Sequence, residues 1–108
     1  MNEFMHHICQ SLQIPLDHPS YAGHFPSQAI LPGVMLIDMI VQLIKKQHSD
    51  QNELRLWHNL ELRNAKFLQP IFPGDDVHVC YTIIGLDRIN FDVKKADVLT
   101  ASGQFRLN

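Results

Sequence analysis

From Val77 to Ile83 every second residue is large and apolar (Val77, Val79, Tyr81, Ile83), the period of a strand with one face covered. The same alternation, less strict, returns in Ile89–Val93 and Val98–Leu107, with turns near Asp87–Arg88 and Lys94–Asp97. Upstream, Leu54–Leu68 is rich in large apolar residues and alternates loosely. It is followed by the turn Phe72–Pro73–Gly74–Asp75. An early strand is expected around Leu12–Leu16, stopped by Pro15 and the Asp17–His18–Pro19 cluster.

One block breaks the two-residue period. Behind Pro32–Gly33, the run VMLIDMIVQLIKK is apolar nearly all round, which predicts a buried helix over about Gly33–Gln47. Lys45, Lys46 and His48 stand at its far end, where positive charge suits the helix dipole. Between the early strand and this helix lies Pro19–Pro32, a loop long enough to suggest a functional role. One long helix followed by an antiparallel run of strands gives an α+β fold, with the helix wrapped by a curved sheet.

Composition narrows the function classes. The 108 residues make one domain, 1–108, small enough to lean on an oligomeric partner. A hydrophobic fraction of 45% excludes a disordered chain, and a net charge of −2 gives no footprint for nucleic acid or an anionic membrane. The longest apolar stretch, Val34–Ile44, is interrupted by Asp38 and Gln42 and is too short to span a bilayer. Cys9 and Cys80 make no disulfide framework and no signal peptide precedes them, so a reducing, cytoplasmic setting is expected.

Asp38 and Gln42, four apart, share one face of an otherwise apolar helix. A buried carboxylate needs a partner or loses its charge, and His24, in the loop before the helix, is the candidate. A histidine and an aspartate in an apolar pocket form a general acid–base pair. Gly33 lacks a side chain, so its backbone N–H at the helix start can approach a carbonyl oxygen and stabilise charge developing there. Base, acid and oxyanion donor are the parts that eliminate water from a 3-hydroxyacyl thioester. Taken singly, each has a plainer explanation: a solvated loop histidine, an aspartate capping a loop, a common helix-start pair.

The string His18–Pro19–Ser20–Tyr21–Ala22–Gly23–His24–Phe25–Pro26, then Ile30–Leu31–Pro32–Gly33–Val34 and Asp38–Met39–Ile40–Val41–Gln42, resembles the hot-dog-fold 3-hydroxyacyl-carrier-protein dehydratases. A second block of that family appears as Asn64–Ala65–Lys66–Phe67–Leu68–Gln69–Pro70–Ile71–Phe72–Pro73–Gly74–Asp75. The resemblance implies a long central helix gripped by a curved antiparallel sheet, paired into a homodimer, with a heterodimer as the other arrangement. It implies His24 as base at C2, Asp38 of the neighbouring subunit at the departing hydroxyl, Gly33 on the thioester carbonyl, and Gln42 orienting Asp38. Phe25, Val34 and Met35 would line an acyl tunnel. No cofactor is implied, because the substrate rides on the phosphopantetheine arm of an acyl carrier protein. Carrier proteins are acidic, which makes Arg63, Lys66, Arg88, Lys94 and Lys95 candidates for their docking patch, against the plainer reading of solvated charges.

Two departures refine the resemblance. Asp38 stands where many members have Glu, as in the branch that also isomerises the product double bond. Ser27–Gln28–Ala29 replaces the usual Gly-Lys-Pro, and the chain is short, which looks like the compact dehydratases of aryl-polyene clusters. The rival readings are a hot-dog thioesterase using Asp38 to activate water, and a silent partner subunit that keeps the fold. A metal site is not expected. His6, His7, His18 and His24 show no H-E-x-x-H helix and no cysteine pairing, and His48, His58 and His78 read as ordinary surface or strand residues.

Overall fold

The computed structural model describes residues 5–17, 30–48 and 60–107. Five strands and one helix follow in the order β1 (Met5–Gln13), α1 (Gly33–Gln47), β2 (Leu60–Phe67), β3 (Asp76–Ile84), β4 (Arg88–Lys95) and β5 (Val98–Leu107). The strands form one antiparallel sheet in the order β1-β3-β4-β5-β2. With the helix on its inner face, this is the expected hot-dog arrangement.

The alternation read from the sequence sets the sheet's two faces. Val77, Val79, Tyr81 and Ile83 of β3 and Ile89, Phe91 and Val93 of β4 are buried, with Ala101 and Phe105 of β5. Leu36, Ile40, Leu43 and Ile44 of α1 close over them, and Ile14 and Ile71 complete the cluster. Phe91 and Phe105 stack with ring centres 5.2 Å apart.

α1 has the predicted limits, but it is not buried all round. Its outer stripe of Val34, Asp38 and Gln42 is exposed, Val34 to 85%. A single sheet covers one side of a helix, so an apolar run longer than that side needs leaves apolar surface outside. The early strand also begins sooner than expected, at Met5, and ends at Gln13, before the predicted Leu12–Leu16 centre closes. Its pattern is weak because Gln10 occupies an inward position between Ile8 and Leu12, the two residues that pack on the core.

Three local features shape the rest. Ala96 and Asp97 take positive φ (50° and 66°), the two central positions of a tight hairpin between β4 and β5. A bulge opposite Val93–Lys94 leaves Thr100 between paired residues. Its buried hydroxyl donates to the Val93 carbonyl at 2.8 Å. His48, expected at the surface, is buried at the C-terminal end of α1, where its Nε2 lies 3.1 Å from the Tyr81 hydroxyl. Burial pushes that hydroxyl's pKa up to about 12.

Cys9 and Cys80 are register partners on β1 and β3, and their sulfurs form a disulfide. This corrects the expectation of two separate thiols: antiparallel pairing brings together two residues 71 apart in sequence. No described helix is long and apolar enough to cross a membrane.

Candidate active site

The start of α1 is built from three stretches of chain. Pro32 is its N-cap, in extended conformation, and Leu36 N–H donates the first helical bond to the Pro32 carbonyl. Gly33 therefore has no carbonyl one turn back to bond within the helix. Leu31 N–H donates to the Ile71 carbonyl at 2.7 Å, tying the entry of the helix to the segment after β2. That segment is positioned in turn by the Thr100 bulge, whose carbonyl accepts from Leu68 N–H (2.8 Å) and Gln69 N–H (3.2 Å). The tip of the Phe67 ring lies so close to Gly33 that a Cβ there would sit 2.8 Å from it, so the exposed ring would have to shift for any larger residue.

Together these residues form an open apolar cavity of about 540 Å³, lined by Leu31, Gly33, Val34, Phe67, Leu68 and Ile71 among others. The predicted oxyanion donor Gly33 and the predicted tunnel residue Val34 both belong to it. Met35 instead lies half-buried against the core. Phe67, Leu68 and Ile71 went unassigned from sequence, although the second family block contained them.

The Pro70–Asp75 segment anchors this end of the molecule. Gly74, at φ +88°, donates to the Ile14 carbonyl, and Ile14 N–H returns a bond to Asp75. The Asp75 carboxylate accepts from Phe72 N–H and from Lys95 Nζ, each at 2.8 Å. Burial works to raise its pKa, but the Lys95 hydrogen bond, the Phe72 N–H and the Lys95 charge together hold it below the usual carboxylate value. Lys95 also sits 5.3 Å from the centre of the Phe72 ring. One of the five candidate docking cations is thus engaged within its own chain.

Asp38 and Gln42 open elsewhere. They line a groove of about 610 Å³ with Gln10, Leu12, Met39, Leu43, Lys46 and Gln47. Gln47 donates to the Gln10 side chain, fastening the end of α1 to β1. Asp38 is exposed, which corrects its expected burial for the reason given for the helix face. Gly33 and Asp38 are five positions apart, so they point about 140° apart around the helix. Among the described residues, the two linings share no member. The predicted oxyanion donor and the predicted acid do not meet within one chain. His24 and Phe25 lie outside the described residues.

The other candidate cations are spread out. Arg63 falls at the bulge of β2, and Lys66 pairs in register with Ser102. Arg88 and Lys94 stand at opposite ends of β4, about 20 Å apart at strand rise. They do not form one compact patch.

Residues 1–104 match the family model of the ApeI dehydratase, and the chain belongs to that ApeI-like family. It is also similar to the 3-hydroxyacyl-(acyl-carrier-protein) dehydratase FabZ of Cupriavidus taiwanensis, 30% identical over 74 residues. That match covers 65% of this chain and 50% of the relative, so the chain spans about half the length of such curated relatives. Among solved structures, an uncharacterized protein from Erwinia carotovora superposes with a TM-score of 0.75 at 22% identity, covering 100% of this chain and 87% of its own. The dehydratase heterocomplex ApeI:P from Xenorhabdus doucetiae gives 0.65 at 22% identity, covering 94% and 87%. These two likenesses concern the fold.

Proposed function

We propose that this chain removes water from a 3-hydroxyacyl thioester delivered by an acyl carrier protein, leaving the trans-2-enoyl thioester. The observation that carries the reading is the apolar cavity at the start of α1, lined by Gly33, whose N–H is free of the helical ladder. In this reading the thioester carbonyl accepts from Gly33, and the helix dipole stabilises the enolate as C2 loses its proton to His24. Asp38, held by Gln42, protonates the departing hydroxyl. No cofactor enters, and the work is done in the cytoplasm.

Gly33 and Asp38 open into separate cavities, so the chemistry needs two chains, each lending Asp38 to the other's Gly33 cavity. The exposed Val34–Asp38–Gln42 stripe supports this, because a second subunit would cover its apolar part. That second subunit is another copy of this chain or a related partner. A substrate of the aryl-polyene type, carried on its own carrier protein, fits the Ser27–Gln28–Ala29 sequence of the loop. Lys66, Arg88 and Lys94 remain free of the Asp75 contact and are the proposed carrier-docking cations, together with Arg63.

Mass spectrometry of a 3-hydroxyacyl carrier protein incubated with the wild type and with His24→Ala tests the reading. Loss of one water from the carrier with the wild type alone is the expected result. Release of the acyl group would make the protein a thioesterase. An unchanged carrier with several acyl groups, restored to dehydration by a second protein, would make it a silent partner subunit.

A further inference from the structure

On the outer face of the sheet, the β1–β3 ladder carries three consecutive polar rungs, His7–Thr82, Cys9–Cys80 and Ser11–His78. His7 Nε2 lies 3.4 Å from Cys9 Sγ, while its Nδ1 lies 2.8 Å from the Thr82 hydroxyl oxygen. In the tautomer with its proton on Nδ1, the ring donates to Thr82 and turns the Nε2 lone pair toward the sulfurs. Metal-binding histidines are oriented in this way by a bond from their second nitrogen. One ligand atom from each of His7, Cys9 and Cys80 lies within 4.8 Å of the others. His7 and Cys9 are exposed and Cys80 is half-buried, so a cation can reach all three.

We propose that His7, Cys9 and Cys80 form a binding site for a soft divalent cation of the zinc class, open when the cysteines are reduced and closed by their disulfide. Two thiolates and an imidazole suit such an ion, and three protein ligands leave the fourth tetrahedral position to water. A dithiol reductant opens the site by exchange. One of its thiolates attacks the Cys9–Cys80 bond to give a mixed disulfide, and its second thiol displaces the remaining cysteine. The reductant leaves as a disulfide, and its two electrons and two protons end on Cys9 and Cys80. The cation then displaces both thiol protons to solvent, and the sulfurs part to the wider spacing that Zn–S bonds of about 2.3 Å require. Nine register pairs from Met5↔Ile84 to Gln13↔Asp76 hold the two strands together besides the disulfide. The site lies outside the dehydratase machinery and does not depend on that reading.

Cobalt(II) serves as the probe, because its thiolate charge-transfer bands report sulfur ligation and ignore the chain's other histidines. The full chain is reduced with a phosphine, freed of it without air, and titrated. The bands should saturate at one ion per chain and be displaced by zinc. They should be absent from the disulfide form and from Cys80→Ser. His7→Gln should weaken binding by about tenfold or more, whereas His78→Gln, held by Ser11 on the next rung, should leave it unchanged. If Cys80→Ser does not fold, the oxidised and reduced wild type decide the question between them. A reduced protein that takes up no more cobalt than the disulfide form would overturn the proposal, as would bands indifferent to His7→Gln.

Discussion

The cavity at the start of α1 and the groove along its later turns differ in what holds them. Around the first, backbone bonds from Leu31 to Ile71 and from Leu68 and Gln69 to Thr100 fix the walls. Asp75 ties that segment to Lys95. Around the second, Asp38 and Gln42 stand exposed beside an edge strand, fastened by the Gln10–Gln47 bond. The walls of the first all come from one chain. The second is a half-site whose chemistry depends on what covers it, and changes in the two places should therefore behave differently.

Asp38→Asn should give the largest effect and the sharpest contrast. Dehydration of the carrier-bound substrate should fall by about 10²–10⁴-fold, the range for losing a general acid, while Tm stays that of the wild type because the side chain is exposed. A fall in Tm together with activity would mean that Asp38 is structural. Leu36→Ala, under the first cavity, should cost about 2–5 kcal/mol in urea unfolding, because Leu36 is 1% exposed. Val34→Ala, two residues earlier on the outward rim of the same cavity, should stay within about 0.5 kcal/mol in a monomer. A much larger loss at Val34 would show that its face is covered in solution.

Asp75→Asn should cost about 1 kcal/mol at neutral pH, since Lys95 is partly exposed and such pairs are screened. Its carboxyl is held below its ordinary value of 3.8, so its stabilisation is present above pH 3.8 and disappears as the pH falls through the lower folded value. The variant should flatten that acid limb of the stability curve, read by urea unfolding between pH 5 and 2. An unchanged acid limb would place the anchoring in the backbone bonds alone. Smallest is Ala96→Gly, which removes a Cβ at φ 50° and should raise stability by about 0.5–1 kcal/mol. The gain should leave the properties of both cavities untouched.

Much of the fold was legible locally. The limits of α1 followed from an apolar run behind Pro32–Gly33, and those of β3 from the alternation of Val77, Val79, Tyr81 and Ile83. β1 was misplaced because Gln10 interrupts its inward pattern. Of the candidate site, the place of Gly33 at the helix start and of Asp38 and Gln42 on one stripe was legible from spacing. Phe67 and Ile71 were not, because nothing local says that the end of β2 lies against the start of α1.

Sequence by itself determined α1, the inward face of each central strand and the spacing of Gly33, Asp38 and Gln42, because local periodicity encodes which side of an element is apolar. Only the tertiary structure decided that α1 keeps an open face, that His48 is buried on Tyr81, that Lys95 is drawn to Asp75, and that Cys9 meets Cys80 beside His7. Those outcomes rest on strand register and on how much surface one sheet can cover. Both are sums over many distant contacts, which no window of sequence contains.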